Sequence, residues 1–154
     1  MNIRKAGKED ITQLVEMRIK YLTVDCGEMS EEQLEAIREQ LPEYFERQLG
    51  TGVLAYAAEE EGILVSTVLM VIVEKPANPH FITGKTGTLL NVYTRPEYRR
   101  QGLAGKLIDL AIQDAKQLNL SYIDLSASKE GYPLYKKIGF TELQSDFVPM
   151  KLVL

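Results

Sequence analysis

The stretch from Thr86 to Ala127 constrains the fold most. It reads as a strand "TGTLLNVYT", a loop "RPEYRRQG", a helix "LAGKLIDLAIQDAKQL" and a second strand "SYIDLSA". The helix places Leu103, Leu107, Ile108, Ala111, Ala115 and Leu118 along one side, the apolar stripe of a helix that covers a sheet. A strand, helix and strand of these lengths close as a right-handed crossover between parallel strands. The fold class is therefore α/β.

The segments around this unit fit the same class. After a short strand near Ile3, "EDITQLVEMRIKYLTVD" spaces Ile11, Leu14, Val15, Arg18, Ile19 and Leu22 by three and four residues, the period of an amphipathic helix. A second helix starts at Ser30, since "SEEQ" sets Gln33 three residues after a capping serine. Two strand-like runs in "VLAYAAEEEGILVSTVLMVIV" flank an acidic turn and predict a hairpin bending near Gly62. "KPANPH" then breaks the chain, "EGYPLYKKIGF" supplies a short helix and "FVPMKLVL" a last strand. With 154 residues and no repeat or long linker, the chain is one domain, 1–154. About 70% of the unfolded surface is buried at this size, enough to build a pocket.

Charge and composition exclude several function classes. The net charge of -4 gives no whole-molecule attraction for polyanions, so nucleic acid is not an expected partner and any anion site is local. The most apolar run, residues 63–73, is too short for a bilayer that needs about 20 residues, so no membrane partner is expected. One cysteine, Cys26, permits no intrachain disulfide, and the start "MNIRKAGKED" lacks the apolar core of a signal peptide, which together predict a cytoplasmic protein. Cys26 and His80 have no orienting third group in the sequence, and Cys26 reads as a small buried thiol. No metal site is expected from one cysteine and one histidine.

The loop before the long helix is the strongest chemical signal. A helix beginning at "GLAG" offers N–H groups with no intrahelical partner and the positive end of its dipole, a seat for phosphate oxygens. Gly102 lets a ligand approach the backbone, Ala104 and Gly105 keep the first turn small, and Arg99 and Arg100 neutralise charge at the rim. A Walker loop does not fit: "GKT" at 84–86 would need a glycine where Pro79 stands, and it precedes a strand. A dinucleotide fingerprint does not fit either, because Ala104 and Leu107 fill its second and third glycine places, although Asp124 lies about where its ribose-binding acid would.

At these residues the chain resembles the Gcn5-related N-acetyltransferase family. "RRQGLA" at 99–104 is similar to that family's pyrophosphate loop, "NVYTRPEY" to the strand and proline turn leading into it, and "PLYKKIGF" at 133–140 to its second signature. The element order resembles the family from end to end. The resemblance implies a mixed central sheet of about six to seven strands flanked by about four helices, with splayed, parallel fourth and fifth strands.

The resemblance also implies acetyl-CoA as co-substrate. Its pyrophosphate would lie on the loop and helix start formed by Arg99, Arg100, Gln101, Gly102, Leu103, Ala104 and Gly105, and its pantetheine arm would pair with main chain at Val92, Tyr93 and Thr94. Ser128 stands where many members have an asparagine, and serine can still hydrogen-bond the cofactor over a shorter reach.

Acetyl transfer to an amine requires a neutral nucleophile, a donor for the carbonyl oxygen and a proton for the departing thiolate. Tyr135, in "LYKKIGF", is the expected proton donor, since a phenol with pKa about 10 matches a thiolate in basicity. A backbone N–H at Val92 or Tyr93 is the expected oxygen donor. The base is open: "TGTLLNVYT" has no carboxylate where many members have a glutamate, Asn91 cannot take a proton, and a water relay or Glu28 remains. The acceptor pocket is expected from the N-terminal helices and nearby strands, with Tyr21, Asp25, Glu28, Tyr44 and Tyr56 as lining candidates.

The expected activity is acetyl-CoA-dependent N-acetyl transfer, by direct attack, to a small-molecule amine or an exposed protein amine. The alternatives are an acyl-CoA sensor of the same fold without turnover and a transferase of a different acyl group. A homodimer is compatible with all of these.

Overall fold

The computed structural model describes residues 1–154, and the fold is a three-layer α/β arrangement. The first elements are β1 (Asn2–Lys5), α1 (Ile11–Cys26), α2 (Glu31–Gln48), β2 (Val53–Glu60) and β3 (Ile63–Glu74). There follow β4 (Lys85–Thr94), α3 (Leu103–Gln117), β5 (Ile123–Asp124) and α4 (Tyr132–Ile138). The sheet runs in chain order, β1-β2-β3-β4-β5, antiparallel up to β4 and parallel between β4 and β5. The crossover read from the sequence is thus the β4–α3–β5 unit.

Local chemistry accounts for most boundaries. The Ser30 hydroxyl accepts from Gln33 N at 3.1 Å and the Gln33 side chain accepts from Ser30 N at 3.0 Å, a reciprocal cap that starts α2. Glu61 and Gly62 both take positive φ, 51° and 81°, giving the two-residue bend that joins β2 to β3.

The two faces of the sheet have separate cores. On one, Leu14, Met17 and Ile19 of α1 and Leu41 and Phe45 of α2 pack with Ala55, Ala57, Leu64, Leu69 and Tyr93. On the other, Leu107, Ile108 and Ala111 of α3 and Tyr135 of α4 pack with Tyr56, Val68, Met70 and Leu89. A polar set also ties α3 to the sheet: the buried Tyr56 hydroxyl donates to Asp114 Oδ2 at 2.8 Å, and Nζ of the exposed Lys5 lies 2.9 Å from the same oxygen.

The structure has five strands instead of six or seven. The segment "FVPMKLVL" pairs with nothing, and residues 141–154 are exposed throughout. The strand expected over "SYIDLSA" shortens to a ladder of two pairs, Gly87 with Ile123 and Thr88 with Asp124, because β4 and β5 part immediately afterwards. Leu118, expected on the buried stripe of α3, caps its C-terminus and is 45% exposed. Cys26 is likewise exposed rather than buried, because it ends α1 where the chain leaves the core.

Candidate active site

The divergence of β4 from β5 opens the site. Beyond Thr88, β4 has no ladder partner on its β5 side, so its main chain can serve a ligand. A bulge sharpens this: the β3 to β4 register passes from Leu69–Leu90 to Thr67–Tyr93, leaving two β4 residues opposite one of β3. Asn91 sits in the bulge with φ 55°, a left-handed conformation that asparagine tolerates better than most residues. Its Nδ2 donates to Thr67 Oγ1 at 3.3 Å, while its Oδ1 is the one sealed side-chain polar atom without a partner.

A groove of about 1,030 Å³ runs from this strand to α4. Its walls bring together Val92, Tyr93 and Thr94, the loop and helix start from Arg99 to Gly105 apart from Gln101, and Ser128 and Tyr135. From across the sheet, the last turns of α1 add Tyr21, Val24 and Asp25.

The loop between β4 and α3 is shaped to aim amides outward. Arg100 and Gly102 both have positive φ, 64° and 74°, and alternation of this kind turns successive N–H groups toward one point. The first intrahelical bond at this end of α3 is donated by Lys106 N to Gly102 O, at 3.2 Å. The N–H groups of residues 103–105 therefore precede the helical ladder and remain available to an anion. Arg99 has a different task from Arg100: its Nε donates to Thr94 O at 3.0 Å and ties the loop to β4.

Despite the chain's net negative charge, the groove is locally basic. Arg99, Arg100, Lys106, Lys129 and Lys137 line it against Asp25, Asp109 and Glu130. The three lysines were not singled out in the sequence; Lys106, in the first turn after "GLAG", is the one whose position signals an anion site.

Tyr135 is held by its own motif. Gly139, at φ 123°, lets the chain turn so that Gly139 N and Phe140 N both donate to Tyr135 O, at 3.1 and 2.9 Å. The turn sets Phe140 edge-on to the Tyr135 ring, with centroids 6.0 Å apart. Burial raises the Tyr135 phenol above its ordinary pKa, and the nearby Tyr21 raises it further. Burial raises Tyr21 as well, reinforced by Asp25. Gly131 leaves room for the ring: a Cβ there would lie 2.8 Å from Tyr135 Cε2. The Ser128 hydroxyl accepts from Gly131 N at 3.0 Å, so this serine also shapes the turn into α4.

The remaining candidates lie elsewhere. Tyr56 is fully buried beneath α3 with its hydroxyl on Asp114, so it cannot line an acceptor pocket. Tyr44 packs edge-on to Phe45 against the α1–α2 core. Glu28 and Gln101 are exposed outside the groove. His80 lines a different groove beside β5, apart from Cys26. No group of three or more His, Cys, Asp or Glu side chains is placed to hold a metal ion, and no helix is long and apolar enough to cross a membrane.

Comparison with known proteins bears on this arrangement. Residues 16–140 match the model of the acetyltransferase (GNAT) family. Among solved structures, the chain is similar to a predicted acetyltransferase from Clostridium acetobutylicum, solved with acetyl-CoA, at 32% identity and a TM-score of 0.85, covering 97% of this chain and 95% of that one. It shares the fold of a GCN5-related N-acetyltransferase from Ralstonia eutropha, at 21% identity and a TM-score of 0.76 over 97% of each chain. It also shares that of a ribosomal-protein-alanine N-acetyltransferase from Brucella melitensis biovar Abortus, at 20% identity and a TM-score of 0.68, covering 98% and 100%. No curated protein matches the chain significantly.

Proposed function

Since the chain belongs to the acetyltransferase (GNAT) family, we propose that it transfers an acetyl group from acetyl-CoA to a primary amine by direct attack. One observation carries this reading: a single groove joins the amide-bearing start of α3 to the phenol of Tyr135 along the unpaired side of β4. Acetyl-CoA supplies the activated acyl group, and the shape and basic rim of the groove suit its anionic, extended form.

The chain's own groups divide the work. The N–H groups of residues 103–105, with Arg100 and Lys106 beside them, bind the diphosphate. The main chain of Val92 to Thr94 orients the extended arm as an added strand would. A backbone N–H of Val92 or Tyr93 steadies the carbonyl oxygen as charge gathers there. Tyr135, a phenol already protonated at neutral pH and pushed further up by burial, gives its proton to the departing sulfur. Phe140 packs edge-on against the ring, and the bare Cα of Gly131 leaves it room.

The acceptor enters from the α1 side, where Tyr21 and Asp25 face the groove. A carboxylate there favours a cationic amine, either a small molecule or an exposed protein amine. Glu28 lies outside the groove, so loss of the amine proton falls to water or to Asp25. An exposed, unpaired Cys26 suits a reducing compartment such as the cytoplasm.

The test is a panel of amines with acetyl-CoA, read by thiol release. Turnover on at least one amine is expected. The absence of a carboxylate on β4 favours, as second reading, a sensor that binds acyl-CoA without turnover: a raised melting temperature with acetyl-CoA and no thiol release on any amine would select it. No thermal shift at saturating acetyl-CoA would reject both, and faster release from a longer acyl donor would reassign the acyl group.

A further inference from the structure

One residue of α1 does not fit the amphipathic pattern of its helix. Arg18 stands on the apolar stripe whose neighbours Leu14 and Ile19 are buried in the core, and it is itself half-buried. A cation drawn out of water costs free energy unless an anion answers it. None does within the chain: the ion pairs and side-chain hydrogen bonds made by arginines belong to Arg4, Arg38, Arg47, Arg95 and Arg99.

Aromatic rings surround the Arg18 head instead. Its Cζ lies 5.9 Å from the centroid of the Tyr21 ring, a cation-π contact. Burial raises the Tyr44 phenol of α2, and the Arg18 charge is near enough to pull the other way. Arg47, which also acts on Tyr44, is engaged with Glu43 at 3.9 Å. Leu14, Arg18, Tyr21 and Asp25 follow at i, i+4, i+7 and i+11, so one face of α1 runs from the core to the active-site groove. Tyr21 and Asp25 line that groove, and Arg18 stands one turn behind Tyr21. Arg18 and Asp25 are about 10 Å apart along the helix and form no ion pair with each other. The acceptor side thus presents a cation and an anion with the Tyr21 ring between them.

We infer that the acceptor is a small amine that also carries a carboxylate, an amino acid in the broad sense, with Arg18 holding the carboxylate and Asp25 facing the amine. The inference rests on acetyl transfer in this groove and narrows the amine to a class. The planar fork of a guanidinium binds a carboxylate through two parallel hydrogen bonds. One unpaired cation also matches the single charge of a carboxylate, whereas a phosphate would bring about two. A polyamine offers Arg18 no anion, and an amine of a protein has its own carboxyl group tied in a peptide bond.

The test is thiol release from acetyl-CoA with the common α-amino acids, β-alanine and γ-aminobutyrate, each beside its carboxamide, which keeps the amine and loses the anion. For an accepted acid, kcat/KM should exceed that of its carboxamide by about 10- to 100-fold, the worth of charge-assisted hydrogen bonds. The carboxamide has the less basic amine, so a preference for the acid cannot come from amine ionisation. Arg18→Gln should bring the ratio close to one, chiefly by raising KM for the acid, and Arg18→Lys should restore part of it. A ratio near one in the original chain overturns the inference, as does an Arg18→Gln chain that loses both reactions in equal measure. The ratio in the original chain decides even where a variant fails to fold. Turnover on amines that lack a carboxylate, with none on the acids, overturns this inference alone; no thiol release on any amine overturns the transfer itself and this inference with it.

Discussion

Gly131→Ala should damage turnover through Tyr135 while leaving acetyl-CoA binding in place. Gly131 has φ -78°, so alanine meets no backbone strain and the effect is one of space. The new Cβ would stand 2.8 Å from Tyr135 Cε2, 3.3 Å from Cζ and 3.2 Å from Ser128 Oγ. Carbon atoms rest at about 3.5 to 4.0 Å, so the ring or the first turn of α4 must give way by about 0.7 to 1.2 Å. The ring has little room to retreat, being 8% exposed and set against Phe140. A misplacement of about 1 Å can reduce turnover about 100-fold, and kcat should fall by about 10- to 100-fold, or about 1.4 to 2.7 kcal/mol of activation free energy. Overpacking should also cost about 1 to 3 kcal/mol of stability.

The assay is steady-state thiol release on an amine accepted in the panel, for the original chain, Gly131→Ala, Tyr135→Phe and the double variant. Tyr135→Phe should lower kcat by about 100-fold or more with little change in acetyl-CoA affinity. In the Tyr135→Phe background, Gly131→Ala should cost almost nothing further, because the group it displaces no longer donates a proton. An unchanged kcat in Gly131→Ala, or the same fractional loss in both backgrounds, would refute the placement of Tyr135 in the reaction.

Arg100→Glu reverses charge at the rim beside the free amides and should weaken acetyl-CoA binding at least about 10-fold at low salt; titration calorimetry giving undiminished affinity would contradict the diphosphate assignment. Because burial raises the Tyr135 phenol, the alkaline fall of kcat due to its ionisation should have its midpoint above the ordinary phenol value of about 10, and a descending limb near pH 8 that Tyr135→Phe abolishes would contradict that environment. Arg4 hydrogen-bonds Asp10 at 2.8 and 2.9 Å and holds its carboxyl below the usual range. The stability from this pair is complete above the unfolded pKa of about 3.9 and is lost as pH falls through the lower folded value; melting temperature should therefore drop more steeply below pH 4 in the original chain than in Asp10→Asn, and parallel profiles would count against it. Tyr56→Phe removes the hydroxyl from the buried Asp114 carboxylate, which keeps Lys5, and should destabilise by about 1 to 3 kcal/mol in denaturant unfolding.

The sequence by itself determined what depends on neighbours along the chain. The cap at Ser30 and Gln33, the bend at Gly62, the glycine-arginine start of α3 and the Gly139 turn that seats Phe140 on Tyr135 are each built from a few consecutive residues. Their geometry follows from side-chain hydrogen bonds and left-handed glycine conformations that need no distant partner. The loop could therefore be read as an anion seat, and the position of Tyr135 in its motif, without coordinates. Tertiary structure alone decided which of these meet and which face each residue takes. The alternation along β2 cannot say which side of the sheet Tyr56 occupies, and packing placed it under α3 on Asp114. The bulge at Asn91 arises from register between two strands 20 or so residues apart in sequence. Tyr21 and Asp25 reach the groove because α1 lies across the sheet from α3. "FVPMKLVL" has the composition of a strand, yet a strand exists only when another edge supplies its hydrogen bonds, and the sheet ends at β5 without pairing it.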